Sequence, residues 1–138
     1  MNSDFVVAVH SLVLLAYTPE RLRTSDNIAN SVSIHPVRIR KVLSTLRKGG
    51  YIQSKEGAKG GFYLTRDPAS ITLAELYTLT SEGTLKPKWP DANPSCPIGA
   101  HIERAMDDIF ATGEKQLEAH FQHYTIADVL QRVHNESL

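Results

Sequence analysis

The stretch PVRIRKVLSTLRKGGYIQSKEGAKGGFYLT, residues 36–65, decides the fold that we predict for this chain of 138 residues. Its first half predicts a helix from Pro36 to Lys48, because proline suits the first helical turn and glycine commonly follows the last one. Apart from one apolar stripe and Val37, the surface of this helix is polar or basic. Four apolar side chains recur at helical spacing and predict one narrow buried stripe: Ile39, Val42, Leu43 and Leu46.

The second half of this stretch predicts a β-hairpin. Two short strand-like runs flank a turn with three glycines, and glycine readily adopts the positive φ angles of tight turns. A nucleotide-binding phosphate loop is excluded, because the glycine–lysine pattern of such loops does not occur between a strand and a helix. A short helix capped by Thr24 or Ser25, a brief turn, the cationic helix and this hairpin together predict a winged helix-turn-helix.

Charge is distributed unevenly along a chain whose net charge is zero. Residues 19–66 hold ten lysines and arginines but only three acidic residues. Residues 67–138 hold five lysines and arginines and eleven acidic residues. The basic segment favours a polyanionic partner, although an unevenly charged solvated surface would give the same counts. The cationic helix suits the major groove of DNA, where side chains of the first turn reach bases and cationic side chains neutralise phosphates.

We therefore predict that the helix-turn-helix and the hairpin bind double-stranded DNA. Val37 can meet a thymine methyl group, and the lysines of the hairpin can approach phosphates or the minor groove. The predicted contacts are Ser25, Ser33, His35, Pro36, Val37, Arg38, Arg40, Lys41, Lys55, Lys59 and Gly60.

The flanking segments predict further helices. An apolar run predicts a helix over about residues 5–17, and Thr72 and Glu75 form a capping-box pattern before a helix that reaches about Glu82. Apolar spacing predicts a long helix over residues 98–122, roughly 37 Å in length, and a last one over 126–134. The fold class is thus mainly α with a small β-hairpin wing and a long C-terminal helix. Its predicted parts are the DNA-binding domain, residues 1–82, a proline-rich loop, residues 83–97, and a C-terminal helical part, residues 98–138.

The stretch IRKVLSTLRKGGYIQSKEGAKGGFYLTRDPASITLAELY, residues 39–77, resembles the core of the Rrf-two family of bacterial winged-helix transcription regulators. The shared motif is a helix ending L-R-K-x-G, a hairpin G-x-x-G-G-F/Y-x-L and a helix introduced by I-T-L. The resemblance extends over roughly residues 1–133. It implies a homodimer, in which the long C-terminal helix packs against its partner's, bound to palindromic DNA. The dimer contacts would then include Ile102, Ile109 and Leu117.

Two departures from the family pattern affect this interpretation. Glu56 stands where many wings of the family carry arginine, so that Lys55 or Lys59 would have to substitute for it. Members that bind an iron–sulfur cluster carry three cysteines before the long helix, whereas only Cys96 is present here. One thiolate per chain cannot supply the usual ligands, and we therefore expect no iron–sulfur cluster and no other cofactor.

Cys96 precedes Pro97 at the predicted start of the long helix, where the helix dipole favours a thiolate. It is a candidate redox sensor, and an unreactive, partly buried thiol is the alternative. His101, His120 and His123 match no standard ligand spacing, so we predict no metal site. Catalytic residues are not predicted either, because no nucleophile, base and orienting group occur at a recognisable spacing.

The first helix is too short to span a bilayer and lacks the basic start of a signal peptide, and a lone cysteine suits a cytoplasmic protein. The sequence thus predicts a DNA-binding transcriptional regulator, a repressor rather than an activator, in which Cys96 is a candidate redox sensor. Two alternatives remain open. One is a winged-helix module that binds proteins and has no specific operator, and the other is a metal- or ligand-gated regulator of the same family. The sequence does not indicate an effector.

Overall fold

The computed structural model describes residues 3–81 and 85–137, and it confirms a mainly helical fold with a small two-stranded sheet. None of the helices within these two ranges is long and apolar enough to cross a membrane. In chain order the elements are α1 (Ser3–Tyr17), α2 (Ser25–Val32), α3 (Pro36–Lys48), β1 (Ile52–Lys55), β2 (Gly61–Leu64), a 3-10 turn (Pro68–Ser70), α4 (Leu73–Ser81), α5 (Pro97–Phe121) and α6 (Ile126–Glu136).

One hydrophobic core forms around α1, which packs against α2, α3, α4 and α6. The apolar stripe of α3 is buried as predicted, and both Ile39 and Leu46 are fully excluded from solvent. The end of α5 reaches this core through Phe121, whose ring lies 5.2 Å from that of Phe5 and 5.8 Å from that of Tyr77. The core therefore fixes α3 to α1 and leaves the polar face of α3 in solvent.

The turn between α2 and α3 is closed by local hydrogen bonds. Thr24 caps α2 and exchanges side-chain hydrogen bonds with Asn27, so Thr24 rather than Ser25 is the cap. Ser33 ends α2 in the left-handed region at φ 62°. His35 then caps α3, and its Nδ1 accepts a hydrogen bond from the Val37 N–H at 3.1 Å. These caps satisfy backbone groups that helix ends leave unpaired.

The predicted hairpin forms the wing, which we define as residues 52–64. β1 pairs with β2 in antiparallel register, from Ile52 opposite Leu64 to Lys55 opposite Gly61. A third segment joins this sheet, since Arg23 exchanges backbone hydrogen bonds of 3.2 and 2.7 Å with Phe62. The backbone of Arg23 lies so close that a Cβ on Gly61 would be 2.8 Å from it. The wing is therefore attached to the segment that leads into α2.

The C-terminal elements depart slightly from the predicted bounds. α4 follows the predicted Thr72–Glu75 capping box and reaches Ser81, whereas Glu82 and the predicted domain boundary after it lie outside the described residues. α5 begins at Pro97, one residue before the predicted start, and α6 continues to Glu136 rather than to residue 134. None of the 25 residues of α5 is buried, which is unusual for a helix with this many apolar side chains.

Candidate DNA-binding surface

Val37, Arg40 and Lys41 project from the solvent side of α3, opposite its buried stripe. All three are exposed, and Val37 exposes 62% of its surface. Cationic side chains neutralise phosphates, and an exposed valine in the first turn of such a helix is suited to an apolar contact with a base. The face of α3 that these residues form has the chemistry of a recognition helix.

Arg38 lies in the same turn, but its guanidinium group is engaged within the protein. It forms an ion pair of 3.0 Å with Asp4 of α1 and also donates to the hydroxyl of Ser3. The side chains of Arg38 and Asp4 remain 43% and 34% exposed, and an ion pair this accessible stabilises by about 0.2–1 kcal/mol. Arg38 is thus directed at α1 in this structure, unlike Val37 and Arg40.

A cationic cleft lies between α2, α3 and the wing, with a volume of about 360 Å³. It brings together two predicted contact residues, Ser25 and Arg40. Three further polar residues of α3 line the cleft. They were not among the predicted contacts, although their outward position on the helix would have indicated a contact with DNA. They are Ser44, Arg47 and Lys48. A cleft with three cationic side chains next to the recognition face favours a phosphate group.

The tip of the wing exposes Lys55 and Lys59 on a tight turn. Gly57 adopts φ 109°, a conformation that side chains other than glycine rarely adopt, and the Gly60 N–H donates to the Gly57 carbonyl at 3.0 Å. A Cβ on Gly60 would collide with the carbonyl oxygen of Lys55. Gly60 therefore permits the turn that presents the two lysines, and its side-chain position is closed to any larger residue.

Cys96 is the N-cap of α5 and is partly buried. The pKa of its thiol is lowered because the backbone N–H groups of Gly99, and less so of Ile98, point toward the sulfur and stabilise the thiolate. The preceding loop lies along α5 through an ion pair of 2.8 Å between Lys86 and Asp107. Cys96 thus stands at the start of the helix that packs against α4.

The surroundings of Cys96 do not fit an iron–sulfur cluster. The chain has one cysteine, and within the described ranges no three His, Cys, Asp or Glu side chains lie close enough together to hold a metal ion. The thiolate chemistry of a single sulfur, rather than ligation of several iron atoms, is what this position can supply.

The three predicted dimer residues have different environments. Ile102 and Ile109 on α5 are 38% and 62% exposed, and Ile98, which was not predicted, is 71% exposed. Leu117, in contrast, is partly buried and packs against the core of its own chain. An apolar groove of about 740 Å³ runs between α1, α2 and α6, with Val6, Leu14, Ile34, Leu130 and Val133 among its lining residues.

Comparisons with known proteins agree with this geometry. The Rrf2 family, described as an iron-dependent transcriptional regulator, matches residues 1–132. YwnA of Bacillus subtilis, named as a candidate HTH-type transcriptional regulator, is 32% identical over 131 residues, which cover 94% of this chain and 96% of YwnA. The crystal structure of a candidate transcriptional regulator from Lactobacillus plantarum has a TM-score of 0.81 and 33% identity, covering 97% of this chain and 91% of its own.

A more distant structure shares the fold alone. IscR of T. potens has a TM-score of 0.76 at 21% identity and covers all of this chain and 90% of its own. The helix-turn-helix, the glycine-tipped wing and the long α5 therefore belong to one winged-helix architecture, and the family match spans almost the whole chain. Proteins of this family regulate transcription and are not enzymes. On the sequence match and the fold together, the chain belongs to the Rrf2 family of transcriptional regulators.

Proposed function

We propose that this protein is a homodimeric repressor that binds a palindromic operator through α3 and the wing, in the cytoplasm. The observation that carries the proposal is the recognition face of α3, where Val37, Arg40 and Lys41 are exposed while the opposite stripe is buried. The exposed lysines of the wing and the cationic cleft extend this face. A surface of this kind binds phosphates strongly and reads bases with a few side chains.

The homodimer is supported by surfaces that a single chain leaves open. α5 buries none of its 25 residues, although three isoleucines project from it. The groove between α1, α2 and α6 is mostly apolar and has a volume of about 740 Å³. We assign the groove to α5 of a second copy, because one pairing would then cover both apolar surfaces twice by symmetry. Such an interface is isologous, and it leads to an operator with matching two-fold symmetry.

In this proposal the protein represses transcription by occupying its operator. A dimer places two copies of α3 in successive major grooves, about 34–36 Å apart or a multiple of that distance. A protein bound in this way across a promoter excludes polymerase without needing a further contact surface. The proposal therefore requires only the DNA-binding face and a fixed dimer geometry.

Cys96 would make the repressor responsive to oxidants. Its thiolate attacks one oxygen of a peroxide, an S–O bond forms as the O–O bond breaks, and the sulfur is oxidised to sulfenic acid while the peroxide is reduced to water or an alcohol. The sulfenic acid can then condense with the partner's Cys96 thiol and release water. Either product changes the start of α5, the helix that we place in the dimer interface, and the spacing of the two α3 helices would change with it.

The experiment that tests these proposals is selection of bound sequences from random duplex DNA, with reduced and oxidised protein compared. We expect a palindromic consensus with reduced protein, steep salt dependence, and weaker binding after oxidation by mild peroxide. The Cys96→Ser protein should select the same palindromic consensus with the same steep salt dependence, but its binding should not weaken after oxidation. If no sequence is enriched, the result would favour a winged-helix module that binds proteins. If the wild type and Cys96→Ser lose the same affinity on oxidation, Cys96 would be excluded as the sensor. Transcription from a promoter that carries the consensus would distinguish repression from activation.

A further inference from the structure

Glu75, in the capping box of α4, holds both ends of the wing with one carboxylate. Its Oε1 accepts hydrogen bonds from the Tyr51 hydroxyl at 2.8 Å and from the Arg66 guanidinium at 2.7 Å. Its Oε2 accepts from the backbone N–H of Thr72 at 2.9 Å. Tyr51 directly precedes β1, and Arg66 follows β2 by two residues. The two ends of the hairpin therefore meet at a single side chain of another element.

Further contacts of Arg66 and Tyr51 make this attachment rigid. The Arg66 guanidinium lies over the Tyr51 ring, 5.0 Å from its centroid, and donates a second hydrogen bond to the Ser70 carbonyl at 2.8 Å. Tyr51 is only 7% exposed, and its carbonyl accepts from the Thr65 N–H at 3.1 Å. Hydrogen bonds between charged partners are about twice as strong as neutral ones. We call Tyr51, Arg66 and Glu75 the wing clamp.

A hairpin with two strands of four residues cannot hold its own orientation, because two-stranded sheets of this size are marginal in water. The orientation must come from what the hairpin is attached to. The bridge to Arg23 fixes one point near its middle, and the wing clamp fixes its base. A small rotation at the base would displace the lysines at the tip by more, because they lie farthest from it.

We propose that Glu75 is a positioning residue for DNA binding, which sets the direction in which the wing carries Lys55 and Lys59 to the DNA. The inference rests on the proposed contact of the wing with DNA. Glu75 itself lies at the base of the hairpin, half-buried between α4 and the strand ends, and needs no contact with DNA. It acts through the wing clamp.

Hydrogen exchange of backbone amides tests the positioning without DNA. In Glu75→Gln one oxygen remains, while the amide nitrogen can no longer accept from Thr72. We expect the amides of β1, β2 and Thr65 to exchange about tenfold faster, with the amides of α1 unchanged. The matched control is Glu118→Gln, because Glu118 lies on α5 and borders the same α4–α5 surface as Glu75. Unchanged exchange in the hairpin, or equal acceleration in α1, would overturn the proposal.

Arg66→Lys provides a second variant should Glu75→Gln fold poorly. It retains the positive charge and loses the forked geometry that bonds Glu75 and Ser70 together. We expect the same acceleration confined to the hairpin. Protection equal to that of the wild-type protein would contradict the role of the wing clamp.

DNA binding then tests whether the position matters. We expect Glu75→Gln to lower operator affinity about fivefold in the wild-type background, and less than about twofold when Lys55 and Lys59 are both alanine, because coupled residues are not additive. Equal losses in both backgrounds would show that Glu75 does not act through the wing. If the two lysine substitutions alone leave affinity unchanged, the wing's part in the proposed function fails, whereas hydrogen exchange still decides whether Glu75 orients the hairpin.

Discussion

Neighbouring side chains on α3 should contribute differently to DNA binding. Lys41→Ala should weaken binding to all sequences alike and flatten the salt dependence by about one unit, because it removes one phosphate contact. Val37→Ala should instead relax the preference at one base pair, by about 1–3 kcal/mol, with the salt dependence unchanged. Titration of consensus and mutated operators at several salt concentrations measures both effects. Thr78→Ala, at an exposed position of α4, is the control. Equal selectivity after Val37→Ala would remove Val37 from base reading.

Asp4 should reduce the affinity for DNA by holding Arg38. Asp4→Asn removes a negative charge beside α3 and releases Arg38 from its ion pair, so affinity should rise by up to about fivefold, more at low salt than at high salt. Arg38→Ala should abolish most of this gain if Asp4 acts through Arg38. The exposed Asp108 of α5, changed to asparagine, controls for net charge. Unaltered affinity in Asp4→Asn would mean that the ion pair is only a structural link between α1 and α3.

The carboxyl of Glu75 should make stability depend on acid pH. Burial alone would raise its pKa, but hydrogen bonds from Arg66, Thr72 and Tyr51 outweigh burial and lower the pKa. The group therefore stabilises the fold above its unfolded pKa of about 4.3, and this contribution disappears as pH falls through the lower folded pKa. Urea unfolding from pH 3 to pH 7 should show a difference between wild type and Glu75→Gln that shrinks below about pH 4. A difference independent of pH would contradict this assignment.

At the scale of elements, the turn of the wing depends on the absence of a side chain at Gly60. Gly60→Ala should cost about 1–3 kcal/mol in the free energy of unfolding or displace the tip, because its Cβ collides with backbone rather than with a flexible side chain. Ala58→Gly, in the same exposed turn, is the matched control and should have a much smaller effect. Urea unfolding and operator titration measure both variants. A Gly60→Ala protein with unchanged stability and affinity would show that the turn can relax.

Local patterns predicted the elements well and their mutual contacts poorly. The bounds of α3 were predicted correctly, because Pro36, the periodic stripe and Gly49 are signals within one segment. The ion pair between Arg38 and Asp4 joins residues 34 positions apart, and periodicity does not reveal which charged side chains meet across two helices. The same is true of the bridge between Arg23 and Phe62 and of the wing clamp. Helical spacing placed Leu117 on an apolar face of α5, but spacing does not reveal that this side chain packs against the core of its own chain.

For the whole molecule, Ile109 provides a direct test of assembly. It is 62% exposed in one chain, so Ile109→Asp should leave a single copy folded, whereas in a dimer it would bury an unpaired charge at a cost of about 3 kcal/mol or more. We expect light scattering at micromolar concentration to change from dimer to monomer. Ala111→Asp, on the opposite face of α5, is the control and should remain dimeric. A wild-type chain that is monomeric under these conditions would remove the basis of the proposed dimer.

The lack of any buried residue in α5 has a consequence for how much protein a cell must contain. Isolated helices are marginal in water, and in one chain α5 is supported mainly near Leu117 and Phe121, at its end. Its first half, with Cys96 at the start, is tied to its own chain through the Lys86–Asp107 ion pair. A second copy that covered the exposed isoleucines would stabilise this half further, and mass action makes that stabilisation depend on the number of copies. At low abundance the chain would be a substrate for proteases, and above a threshold it would become long-lived. Gene dosage would then act on the regulator as directly as any chemical signal.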